Sequence, residues 1–168
     1  MANDEERAQS QVLAFFEPGE SLYHSVSESD LIPSPRPEET QMNPLSLEQP
    51  PGGLSFDRST LRADPARVFS EKRPQETRLC QLAVNEVYCE FISTIVYESL
   101  ARPSKVPGND AHSEARICRR TNGWPDEKCD PGKGIKREVR FYLAAHMIAR
   151  PEHYQHVAPG EWREVKAT

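Results

Sequence analysis

The longest apolar-rich run in the chain is Leu79 to Leu100, LCQLAVNEVYCEFISTIVYESL. Leu79, Leu82, Ala83, Val87, Phe91, Ile95 and Leu100 recur at three-to-four spacing, with Glu86, Glu90 and Ser93 off the stripe. This pattern predicts an amphipathic helix. Pro74 suits a first helical turn before it, and Pro103 stops it. The β-branched cluster from Ile92 to Val96 favours strand locally, but the length of the run favours helix. Glu86, Glu90 and Glu98 interrupt it, and carboxylates in hydrocarbon are costly, so the run is not expected to span a membrane. A second helix is predicted from Gly134 to Arg150, with Ile135, Val139, Tyr142, Leu143, His146 and Met147 on one face and Pro151 at its end. Shorter helical pieces are expected over 3–16, over 65–72 behind the Asp64-Pro65 start signal, and over 111–120.

The first sixty residues carry no comparable pattern. They hold eleven acidic against three basic residues and include Ser34-Pro35-Arg36-Pro37 and Pro50-Pro51-Gly52-Gly53. Such a segment cannot bury a core and prefers polyproline II. It reads as an extended acidic arm, ordered only across partner subunits, with Phe15, Phe16, Leu22, Tyr23, Leu31 and Ile32 as partner-binding anchors. The organisation expected is an arm over 1–60 with a short N-terminal helix, a small helical domain over 61–150, and an irregular tail over 151–168. In that tail Tyr154, Val157 and Trp162 are the candidate contacts.

Composition sharpens this picture. Only 36% of residues are hydrophobic and 8% aromatic, while fifteen are proline. A core drawn from such a chain is small and needs disulfides, a metal or a partner. The four cysteines, Cys80, Cys89, Cys118 and Cys129, are therefore disulfide candidates, and an oxidising compartment follows from that reading. Four cysteines allow three pairings. A nested one, Cys80 with Cys129 and Cys89 with Cys118, would clamp two helices; its outer bridge closes a loop of about 50 residues, worth about 4 kcal/mol in the chain-entropy model. Four free thiols in a reducing compartment is the alternative.

Net charge is −5, which speaks against bulk nucleic-acid binding. The acidic start, Met-Ala-Asn-Asp-Glu-Glu, lacks the features of a secretory signal and of a mitochondrial presequence. A basic set from Arg116 to Arg140 is interleaved with acids, so it is a solvated face or a contact for acidic lipid head groups. Candidate chemistry is sparse. GxSxG and HExxH are absent, and the histidines are scattered. No enzyme activity, cofactor or metal is expected. A zinc-binding adaptor in a reducing compartment is the competing reading, with Cys118, Cys129, His112, His153 and His156 as ligand types but no short CxxC knuckle. Pro131-Gly132-Lys133-Gly134 could hold an anion, yet lacks the frame of a nucleotide loop.

The two cysteine pairs, Cys80-x8-Cys89 and Cys118-x10-Cys129, with Pro74 ahead of the first and Gly123 inside the second, resemble the twin-CxnC (CHCH-like) proteins of the mitochondrial intermembrane space. Within that family the spacing is most similar to PDSW-type accessory subunits of respiratory complex I. The resemblance covers roughly residues 70–145. It implies a mainly α fold: a disulfide-stapled helix pair with a long extended N-terminal arm and an irregular C-terminal tail. It also implies a non-catalytic accessory subunit of a mitochondrial inner-membrane complex, peripheral on the intermembrane-space side, with other subunits as partners. The family bridges its pairs in a nest. Here x8 spacing sets Cys80 and Cys89 about 180° apart on a helix, so a local Cys118–Cys129 bridge stays open as well.

Overall fold

The computed structural model describes residues 16–47, 54–62, 64–87, 89–92, 96–103, 107, 109–121, 124–125 and 137–165. Its strands are β1 (Ser21–Ser27), β2 (Leu31–Ile32), β3 (Gln41–Met42), β4 (Leu54–Arg58), β5 (Glu76–Ala83), β6 (Cys89–Ile92), β7 (Val96–Pro103), β8 (His112–Thr121), β9 (Trp124–Pro125), β10 (Ile148–Ala158) and β11 (Glu161–Val165). They form an antiparallel sheet in the order β2-β3-β10-β5-β1-β4-β8-β7-β6, with β11 added to β10 and β9 to β8. Among the described residues there is one α-helix, α1 (Arg137–His146). The expected mainly α, stapled helix pair is therefore overturned: the chain is mainly β.

The predicted helix over Leu79–Leu100 divides into four pieces. Leu79 to Ala83 is the end of β5. A 3-10 turn, Val84–Val87, follows, and Glu86 closes it by accepting a 2.9 Å bond from the Ala83 N–H. β6 and β7 then pair from Cys89↔Ser99 to Ile92↔Val96. The physical reason lies in β5. Cys80 and Leu82 enter the main core, while Leu79 enters a second core on the opposite side. A strand buried on both faces reads as one continuous apolar run, which periodicity does not separate from a helix. Beyond the turn the β-branched residues prefer the strand.

The N-terminal arm is corrected in the same way. β1 lies inside the sheet, paired with β5 along its whole length. Phe16, Leu22 and Leu31 sit in the chain's own main core, and Tyr23 is buried; Ile32 is exposed. Side chains inside the core have no surface to offer a partner. Phe15 and the predicted N-terminal helix lie outside the described residues.

The segment 111–120, expected as helix, is β8. The second predicted helix is shorter than expected, since β10 begins at Ile148. Val139, Leu143 and Met147 are fully buried on the face foreseen for them. They meet Leu22, Val26, Met42 and Leu47 across the sheet. The tail is regular, not irregular: β10 and β11 form a hairpin across Pro159-Gly160. Gly160 has φ +72°, the left-handed position such a turn reserves for glycine. Tyr154 and Trp162 are buried there, while Val157 is exposed.

Burial replaces the expected staples. Cys80 is a free, buried thiol. Cys89 and Cys118 lie on β6 and β8, with β7 between them; two strand spacings are about 9.5 Å, beyond the roughly 7 Å that a bridge tolerates. The nested pairing is thus excluded by topology. Cys129 lies outside the described residues.

Candidate functional site

β1 is the strand from which the site is built. One edge follows β5 from Ser21↔Ala83 to Ser27↔Glu76. The other edge meets β4 only at Leu22↔Arg58 and Tyr23↔Asp57. Past Tyr23 the two strands separate, and the sheet holds an internal slot. Its closed end is locked by Glu20, whose buried carboxylate accepts from Arg58 Nε at 2.9 Å, Arg58 Nη2 at 3.0 Å and Thr60 Oγ1 at 2.6 Å. Burial alone would raise the Glu20 pKa, but these donors outweigh it and hold the carboxyl below its ordinary value.

His24 is the first side chain past the paired end. Its Nδ1 lies 2.9 Å from the Ser55 carbonyl. A carbonyl only accepts, so Nδ1 carries the proton and donates. Burial pushes the His24 pKa down, and Arg73 adds to this; the carbonyl bond and the charges of Asp30 and Asp57 work the other way. Next along β1, Ser25 Oγ donates to Glu76 Oε2 at 2.5 Å, with both residues buried. Arg73 Nη1 approaches the other Glu76 oxygen at 3.3 Å. Burial raises the Glu76 pKa despite the Ser25 bond and the Arg73 charge.

The slot opens into two lobes that share His24, Ser25, Ser55 and Arg73. The larger, about 630 Å³, has Val26, Met42 and Leu54 as its apolar floor and Ser27, Ser29, Asp30 and Ser46 among its polar walls. The smaller, about 300 Å³, lies toward Arg67, Phe69, Asn109 and His112. Asp57 also borders it, but that carboxylate is occupied by Arg62 Nε at 3.1 Å and Asn109 Nδ2 at 2.9 Å. Volumes in this range suit small-molecule sites.

The segment carrying Arg67 and Arg73 is fixed from behind. The Asp64-Pro65 signal does start a turn, Pro65–Val68, with the Asp64 carboxylate accepting from the Ala66 N–H. It is a 3-10 turn and shorter than foreseen. Phe69 then packs between Tyr154 and Trp162, with ring centroids 4.9 and 5.0 Å away. Glu71 accepts from the Gly160 N–H and pairs with His156. The β10–β11 hairpin thereby holds one wall of the slot.

None of the expected sites coincides with this one beyond Tyr23 and His112. His153 and His156 stand on β10. Among the described residues no three His, Cys, Asp or Glu side chains come together to hold a metal, so the zinc alternative finds no ligand set there. Of the basic set, Arg116, Arg119 and Arg120 are on β8 and Arg137 and Arg140 on α1; Lys128, Lys133 and Lys136 fall outside the described residues. No described helix is long and apolar enough to cross a membrane. His24, Ser25, Ser55, Arg73 and Glu76 were missed because they form no motif. The one local hint is a His-Ser pair between Tyr23 and Val26 in an otherwise apolar stretch. Compared with protein-family models, curated proteins and solved structures, the chain matches none.

Proposed function

We propose that the protein is a binding domain for a small polar ligand, held in the slot where β1 and β4 part. The observation that supports this is the interrupted pairing. β1 keeps its ladder to β5 throughout, yet its ladder to β4 stops after two registers. An opening inside a sheet leaves strong main-chain donors and acceptors without ladder partners, which is costly unless something else meets them. Side chains do part of this, as His24 does for Ser55. A ligand rich in hydroxyl or amide groups would do the rest. The walls suit it: serine hydroxyls and charged groups stand over a short apolar floor.

The expected place in a mitochondrial respiratory assembly loses its footing with the helical cysteine framework on which it was drawn.

Ser55→Trp tests the binding reading. Ser55 is exposed, borders both lobes and packs in no core, so an indole there fills the slot and leaves the fold intact. A panel of sugars, nucleosides and amino-acid amides, screened by chemical shift, should give saturable changes at Met42, Ser46 and His24 in the natural chain. Ser55→Trp should abolish them at unchanged thermal midpoint. Hits that bind equally well to the tryptophan variant would place the ligand elsewhere and end this reading.

A further inference from the structure

The smaller lobe differs from the larger one in charge. We infer that it is a subsite for a phosphoryl group, so that the ligand of the slot is a phosphate ester; this rests on the slot being a binding site at all. Arg67 and Arg73 both border the lobe. Arg67 is exposed and makes no ion pair among the described residues. Arg73 spends one nitrogen on Glu76 at 3.3 Å, its side chain is 56% exposed, and it makes no other ion pair among the described residues. The lobe's one carboxylate, Asp57, is held by Arg62 and Asn109 and is not a counter-ion for either arginine.

The donor geometry selects among anions. Arg67 comes from the 3-10 turn and Arg73 from the loop before β5, while Ser55 of β4 lines the same lobe. A carboxylate has two oxygens in one plane and is satisfied by one guanidinium fork. Two forks from different chain segments match the three terminal oxygens of a phosphate monoester. Size agrees: about 300 Å³ sits at the bottom of the range for ligand sites. It takes a head group, with the remainder of the molecule passing Ser25 and His24 into the larger lobe.

The full chain is titrated with inorganic phosphate, with sodium acetate and with ribose at constant ionic strength. The arginine Nε–H resonances, the His24 and His112 rings, and the Met42 methyl are followed. Phosphate should saturate at Arg67 and Arg73 and bind at least tenfold more weakly to Arg67→Gln and Arg73→Gln. Arg36→Gln, on a remote exposed residue, should leave it unchanged. Because Arg67 is exposed and makes no ion pair among the described residues, its variant should keep the native thermal midpoint. Acetate saturating as tightly as phosphate would overturn the phosphoryl assignment, as would phosphate shifts that stay linear and equal in Arg67→Gln. Ribose saturating at Met42 while phosphate fails would overturn the subsite and leave the slot standing. Silence from all three would remove both.

Discussion

Glu20→Gln should destabilise the fold by about 3 kcal/mol, because it leaves a nearly buried guanidinium without its counter-charge. The Glu20 side chain is fully buried and that of Arg58 is 16% exposed. Breaking one side of a buried pair costs about 3–5 kcal/mol. The lower end applies here, since Arg58 retains some water and stacks over Phe16 at 4.8 Å. Gln also keeps one oxygen for Thr60 Oγ1. Replacing both residues, Glu20→Met with Arg58→Met, removes the charges together and should cost less than either single change. The assay is urea unfolding, read as a shift in midpoint at constant slope. The pH dependence follows from the depressed Glu20 pKa. Such a group adds stability above its unfolded value, about 4.3, and loses it as pH falls through the folded value. The gap between natural chain and Glu20→Gln should therefore be full at neutral pH and narrow below about pH 4. A difference under about 0.5 kcal/mol at neutral pH, within the range of ordinary surface changes, would refute the claim that this pair locks the closed end of the slot.

Other outcomes are open to direct measurement. Leu143→Ala, at a fully buried position of α1, should cost about 2–5 kcal/mol in the same urea assay, and a loss below 1 kcal/mol would mean the helix does not pack as described. Glu76 has the opposite pH sign to Glu20: with its folded pKa raised, stability falls as pH rises from the unfolded value, about 4.3, through the folded one, so Glu76→Gln should gain on the natural chain in thermal midpoint as pH rises across that window. Gly160→Ala meets no atom within 4 Å of its new Cβ, so its cost is conformational alone, about 1–2 kcal/mol by thermal melting. Burial pushes the Cys80 thiol up to about 12, and its reaction with a disulfide reagent should be slow in the native state and complete on unfolding; fast native labelling at Cys80 would contradict its place in the core.

Local signals in the chain carried as far as local physics does. Asp64-Pro65 names a helical start, and Val139, Leu143 and Met147 name the buried face of α1, because capping and 3.6-residue periodicity are decided within a few residues. What failed was decided at long range. Leu22, Tyr23 and Val26 look like stray apolar residues in a proline-rich arm; they become core only when Leu22 meets Leu82 and Val26 meets Arg78, more than fifty residues on. The site is harder still. Ser25 and Glu76 are 51 residues apart and touch through strand register, which no spacing rule encodes. Cysteine spacing misled for a related reason: an even count suggests bridges, but Cys80 is simply a small apolar filler in a strand covered on both sides.

The ladder between β1 and β4 that ends at Tyr23 bears on how this protein tolerates mutation over generations. Beyond that register, one margin of β1 and the start of β4 face an opening, and what they present first is peptide N–H and C=O. Every amino acid except proline supplies the same pair of groups. A molecule lodged there would be gripped in part by atoms that substitution cannot delete. Side-chain scanning would then underestimate the contact, and homologues could drift at Ser25, Ser27 and Ser55 while retaining the grip. Proline is the informative exception: at those positions of 24–27 whose N–H faces away from β5, it would strip a donor from the wall itself. The gap in the ladder is thus a feature whose persistence would show in backbone register before it showed in residue identity.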